Sequence, residues 1–181
     1  MKRFFLYVAA FSLLTLSSCG NQRTTDNSDQ IIAHKVDSLL KKMTLEEKLG
    51  QMIIYPTKGN VTGPTGSIDN IEELIKEGKC GNLFGALNAS EAHRLQKLAM
   101  ENTRMKIPLL LGCDVIHGYK TIFPVNLGIS ASWDLEEIER FARVSAEEAS
   151  SGGLHWTFSP MCDISRDPRW GRVSEGSGED P

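Results

Sequence analysis

At 181 residues the chain sets 20 lysines and arginines against 23 acids, a net charge of -3. The lysines are scattered and form no basic stripe, which excludes a surface built for nucleic acid. Its four cysteines form no C-x-x-C or Cys/His cluster, which argues against a structural zinc site.

The chain opens with a short basic start, Met1, Lys2 and Arg3, followed by the apolar run "FFLYVAAFSLLTL" from Phe4 to Leu16. Length and flanks read as a secretory signal over residues 1–18. The run is shorter than the roughly 20 apolar residues of a membrane-spanning helix. "LSSC" at its end resembles the lipobox of bacterial lipoproteins, with Cys19 as first mature residue and lipid carrier. Its acyl chains would exceed the two-signal threshold for stable membrane anchoring. Residues 19–30 then form a lipidated cysteine and polar tether, "NQRTTDNSDQ" carrying no period.

Ile32, Val36, Leu39, Leu40 and Met43 fall at helical spacing, so folded structure is expected from Ile31. Thr44 and Glu47 make a capping box for a second helix. Next come "GQMIIYP" as a strand, "IDNIEELIKEG" as a helix, "CGNLFGAL" as a strand and "SEAHRLQKLAMENTRM" as a helix capped by Ser90. "IPLLLGCD" reads as a buried parallel strand, "DLEEIERFARVSAEEASSGG" as an acidic-capped helix and "HWTFSPMCDIS" as a strand. Cys113 and Cys162 lie in apolar runs and are expected to act as small buried hydrophobes. Alternating strands and helices mean an α/β fold with a parallel sheet. Without signal and tether, roughly 150 residues remain, against about 250 for a (β/α)8 barrel. About four strand–helix units fit, and periodicity alone leaves a flavodoxin-like sheet and part of a barrel both open.

Asp114 and Asp163 each end a predicted strand, the edge where parallel α/β proteins bind ligands. An aspartate there can equally serve backbone amides alone. "DVIHGY" adds His117 to Asp114, yet no further histidine or cysteine stands at ligand spacing, so a metal site is disfavoured. His34, His93 and His155 look like ordinary helix-surface or strand-start residues, and no G-x-S-x-G elbow is present. "RDPRWGR", Arg166 to Arg172, sets guanidiniums beside acids and adds Trp170, a flat apolar face on which a sugar ring can rest. It fits a polyol site and an arginine–carboxylate structural knot equally.

"LLLGCDVIHGYKTIFPVNLGISASWD" and "FSPMCDISRDPRWGRVSEGSGEDP" closely resemble glycoside hydrolase family 3 β-glucosidases of the bacterial periplasmic type, and "MTLEEKLGQM" looks like the family's usual start. The likeness runs from about Ile31 to Pro181. It implies that residues 31–181 are the N-terminal part of a (β/α)8 barrel domain, about its first half. It implies retaining hydrolysis of a terminal, non-reducing β-glucosyl residue by a carboxylate nucleophile and a second carboxyl acting as acid and base. No cofactor is implied. By the same resemblance Asp114 and Arg172 bind the innermost sugar, His117 supports Asp114, and Arg166, Arg169 and Glu175 hold the loop in shape.

The family's Lys-His sugar-binding pair, its nucleophile in a short Ser-Asp-Trp-like motif and its acid/base glutamate match nothing in these 181 residues. "SWD" at Ser132 to Asp134 matches another family segment, and Asp134 reads as a helix N-cap. The expectation is a truncated, lipid-anchored periplasmic enzyme, inactive alone, acting on β-glucosides or oligosaccharides. A β-xylosidase or other exo-glycosidase of the family is the alternative, and a non-catalytic sugar-binding lipoprotein is the other. An N-acetylglucosaminidase fits less well, because the acid-glycine-glycine sequence usual there is absent.

Overall fold

A computed structural model of the chain describes residues 27–57, 70–85 and 88–179. The signal segment, Cys19 and most of the tether lie outside the described residues. The chain divides into two compact units, meeting in sequence between Lys42 and Met43.

The first unit contains helix α1, Asn27–Lys42, which starts four residues before Ile31 and so takes in the end of the expected tether. Asp29 in its first turn and Lys41 and Lys42 in its last complement the helix dipole, which explains the earlier start.

In the second unit, α2 (Leu45–Gly50) begins with the capping box its spacing predicts. Thr44 Oγ1 accepts from Glu47 N at 3.2 Å, and Glu47 Oε2 accepts from Thr44 N at 2.9 Å. Then follow β1 (Ile54–Pro56), α3 (Ile71–Lys76), β2 (Asn82–Phe84), α4 (Ala89–Asn102) and β3 (Leu110–Cys113). A short helix α5 (Asn126–Ser130), without the length to show a period, precedes α6 (Leu135–Ser151) and β4 (Trp156–Thr157). Asp134 caps α6 as expected, accepting from Glu137 N at 3.1 Å. For α4 the cap is Asn88, whose Oδ1 accepts from Glu91 N at 2.9 Å; Ser90 falls inside the first turn. β4 is shorter than its apolar run because Pro160 cannot donate to a ladder.

The four strands are parallel in the order β1-β2-β3-β4. Consecutive order differs from the 2-1-3-4 start of a flavodoxin-like sheet, which removes that alternative. The register aligns Leu83 with Leu111. Both are fully buried on one face, where Ile75 of α3 and Leu95 and Ala99 of α4 cover them. The two-residue period sends Ile54, Leu110 and Trp156 to the opposite, exposed face. Phe158 lies 4.4 Å from Trp156 and 5.5 Å from Phe84, centroid to centroid.

Glu47, only 8% exposed, also accepts from the Arg104 guanidinium just beyond α4, an ion pair that ties α2 to that helix. Arg104 is the main reason the Glu47 carboxyl sits below the usual range. Of the cysteines, Cys80 is the buried one and Cys113 is half-buried. Cys162 is exposed, contrary to the expectation from its apolar run, because the chain leaves the sheet at Pro160.

Candidate functional site

The carboxyl ends of β3 and β4 bring together groups that are far apart in sequence. Asp114 follows the last residue of β3 and is exposed. Partial desolvation raises its carboxyl above the usual range; the nearby Arg172 charge opposes this and Glu175 adds to it. Asp163, beyond β4, also acts on Arg172. Contrary to the expectation that it ends a strand, Asp163 stands six residues past Thr157, because β4 is short; the guanidinium lies within electrostatic reach of it, of Asp114 at the end of β3 and of Glu175 in the adjoining turn.

Arg172 stands between two 3-10 turns, Pro168–Trp170 and Val173–Glu175. Its Nε and Nη2 donate to Glu175 Oε2 at 2.9 and 2.5 Å, and Nη2 lies 3.7 Å from Met161 Sδ. Nη1 makes no hydrogen bond to any described residue, leaving the outer edge of the fork free. An exposed ion pair of this kind adds little stability. Its consequence is orientation: Glu175 holds one edge of the guanidinium and leaves Nη1 without a hydrogen bond to a described residue.

The preceding turn is an arginine–carboxylate knot. Arg169 Nη2 and Nε donate to Asp167 Oδ2 at 2.5 and 3.0 Å, and Asp167 Oδ1 accepts from Arg169 N at 2.9 Å. The knot reading of "RDPRWGR" is met at Arg169, while Arg172 lies in the field of Asp114 and Asp163. Arg166 donates its backbone N–H to Ile164 O at 3.1 Å. Its side chain is exposed and forms no ion pair with a described residue. Trp170 is 42% exposed.

His117 is half-buried in the same loop as Asp114. Its Nδ1 is enclosed without a hydrogen-bond partner among the described residues, and its carbonyl accepts from Phe123 N at 2.8 Å. Asn126, which no sequence pattern singles out, is buried, and its Nδ2 donates to Glu175 O at 2.8 Å. That bond pins the Arg172–Glu175 turn to the start of α5. Only the 49-residue separation hides this contact from local pattern. Among the described residues no group of three or more His, Cys, Asp or Glu could hold a metal ion.

A well-formed hollow lies elsewhere. A cavity of about 470 Å³ between α5, α6 and β4 is walled by Ile129, Ile138, Phe141, Leu154 and Trp156, and includes neither Asp114 nor Arg172. Its walls are apolar, and it offers no converging charges.

Residues 44–181 match the glycosyl hydrolase family 3 N terminal domain. A periplasmic β-glucosidase of Salmonella typhimurium is 44% identical over 80% of this chain and 18% of its own length. A periplasmic β-glucosidase/β-xylosidase of Dickeya chrysanthemi is 34% identical over 82% of this chain and 26% of its own. The crystal structure of a β-glucosidase from Listeria innocua with isofagomine superposes with a TM-score of 0.68 at 40% identity, covering 82% of this chain and 20% of that one. The chain thus spans about a fifth to a quarter of the length of these relatives. Over those residues the chain belongs to glycosyl hydrolase family 3, as part of its N-terminal domain.

Proposed function

We propose that this chain supplies the innermost sugar subsite of a β-glucosidase-type retaining hydrolase, built on the first half of a (β/α)8-type barrel. The observation that carries this reading is the Arg172 guanidinium, oriented by Glu175 with Nη1 free and within electrostatic reach of Asp114 at the end of β3 and of Asp163 in the segment after β4. A charged acceptor and a planar donor fork grip vicinal hydroxyls more strongly than neutral groups do. The consecutive strand order and the apolar hollow beside β4 support the barrel, since a further strand and helix would stand there.

The substrate class is a β-glucoside or oligosaccharide with a terminal glucosyl residue. Structures of the Listeria innocua enzyme are complexes with glucose and with laminaribiose. A xyloside is the second reading, favoured by the Dickeya relative's double name and by a putative β-xylosidase of Formosa agariphila, 34% identical. Asp114 and Arg172 would bind hydroxyls that both sugars share. No acid of this chain is assigned as nucleophile or acid/base, so these residues bind sugar without hydrolysing it. The expected location is the periplasm, as in the names of the Salmonella and Dickeya relatives, with Cys19 carrying a lipid.

The test is a glucose titration of the chain followed by NMR, beside an aryl β-glucoside assay. Binding should perturb Asp114 and Arg172, weaken strongly in Asp114→Ala and Arg172→Ala, and occur without turnover. No binding, or turnover abolished by changing an acid of the chain, would reject the reading. Lipid labelling in a bacterial host tests the anchor, and labelling that survives Cys19→Ser excludes it.

A further inference from the structure

The loop from Asp114 to Phe123 carries two of the candidate site residues and is exposed at its tip, Lys120 to Ile122. Val115 is buried near its start, but Lys120 and Thr121 are exposed and Ile122 is 78% exposed. Within the loop, Phe123 N donates to His117 O at 2.8 Å, and Gly118 turns with φ +94°. These features shape the turn, and two aromatic side chains anchor its flanks: Phe123 lies 4.7 Å from Phe141 of α6, centroid to centroid, and Tyr119 packs against the core.

The exposed tip between those anchors, Lys120 and Thr121, is held by one carboxylate. Glu148 Oε2 accepts from Lys120 N and from Thr121 N, both at 2.8 Å, and Glu148 Oε1 accepts from Thr121 Oγ1 at 2.6 Å. Glu148 sits in α6 beside Ser145 and Ala149, the two buried residues of that helix, so it projects from a rigid support. At the loop's other end Ser159 Oγ donates to Val115 O at 3.1 Å.

We propose that Glu148 is a positioning residue for the site: it clasps the 120–121 backbone and so holds Asp114 and His117 opposite Arg172. The inference rests on the sugar-site reading for its function and on the three hydrogen bonds for its geometry. The Thr121 hydroxyl, then the Thr121 and Lys120 amides, keep the Glu148 carboxyl below the usual range, so the acceptor is ionised at neutral pH. Charge-assisted bonds to one carboxylate are stronger than neutral ones. Three of them can order the exposed tip, Lys120 and Thr121, between the Tyr119 and Phe123 contacts.

Two substitutions separate the clasp from a solvated helix-surface glutamate. Glu148→Ala removes all three contacts. Glu148→Gln keeps their geometry, with its carbonyl oxygen facing the two amides and its amide nitrogen facing the Thr121 hydroxyl. The measurement is hydrogen exchange of the Lys120 and Thr121 amides in the full chain, together with glucose affinity. In Glu148→Ala, exchange at both amides should rise about tenfold or more while Leu111 in β3 is unchanged, which identifies local release of the loop. Glucose affinity should fall in step, and Glu148→Gln should restore both properties toward wild type.

Wild-type protection in Glu148→Ala overturns the clasp. Lost protection with unchanged glucose affinity overturns its role in the site, and a Gln variant as impaired as Ala overturns the geometric account. If Glu148→Ala does not fold, Thr121→Val deletes one contact and should raise exchange at the same two amides by a smaller factor; no rise overturns the proposal. A wild-type chain that binds no glucose sinks the sugar-site reading, while the exchange measurement still decides the clasp.

Discussion

Gly118 and Gly171 adopt nearly the same backbone conformation, with φ +94° and +91°, in different surroundings. A Cβ added to Gly171 would meet nothing within 4 Å, whereas one on Gly118 would lie 2.0 Å from Thr121 O and 2.9 Å from the Phe123 ring. Gly171→Ala therefore carries only the backbone penalty of a left-handed residue, about 1 kcal/mol. Gly118→Ala carries the same penalty and must also displace the Thr121 carbonyl. That carbonyl belongs to a residue held by Glu148 at both its amide and its hydroxyl. Displacing it sacrifices about two hydrogen bonds at about 1 kcal/mol each, for a total of about 3 kcal/mol. Urea unfolding followed by circular dichroism measures both variants against wild type. The expected difference between the two alanines is about 2 kcal/mol, and because the loop can detach locally, exchange of the Lys120 and Thr121 amides is read in parallel. Equal stability losses together with unchanged exchange would refute the steric argument.

Other predictions concern the core, the charges and the thiols. Leu83 is fully buried at the centre of the sheet, so Leu83→Ala should cost about 2–5 kcal/mol in the same unfolding experiment. A loss well below that range would mean that the sheet and helices are not packed as described. Arg172 lowers the Asp114 carboxyl and Glu175 raises it, so Arg172→Met should move the Asp114 titration to higher pH and Glu175→Gln to lower pH, measured by NMR. Shifts of the same sign in both variants would remove Asp114 from this charge cluster. Burial pushes the Cys80 thiol up to about 12 while Cys162 is exposed, so maleimide labelling mapped by mass spectrometry should modify Cys162 first and Cys80 last.

The periplasmic and lipid-anchored parts of the reading depend on residues 1–26, outside the described structure, and stand on "LSSC" and on the relatives' names. Within the described residues, the features legible in the chain were local. The Thr44–Glu47 capping box, the Asp134 cap and the helical periods depend on hydrogen bonds and side-chain spacings within a few residues. Ser90 was a miss of the same local kind. Asn88 lies two residues earlier and offers an equally good cap, and the register of α4 decided between them.

Sequence by itself determined the longer helices, the existence of the four strands, the parallel α/β class and the placing of Asp114 at a strand end, because each follows from periodicity or short-range chemistry. Tertiary structure alone decided the consecutive strand order, which face of the sheet is buried, and the contacts of Glu148 with Lys120 and Thr121 and of Asn126 with Glu175. Those contacts join residues 27 to 49 positions apart, and a carboxylate or amide carries no mark of a partner at that separation. Packing of the helices against Leu83 and Leu111 brings such groups within hydrogen-bond reach, since burial is won by whole faces and not by adjacent residues.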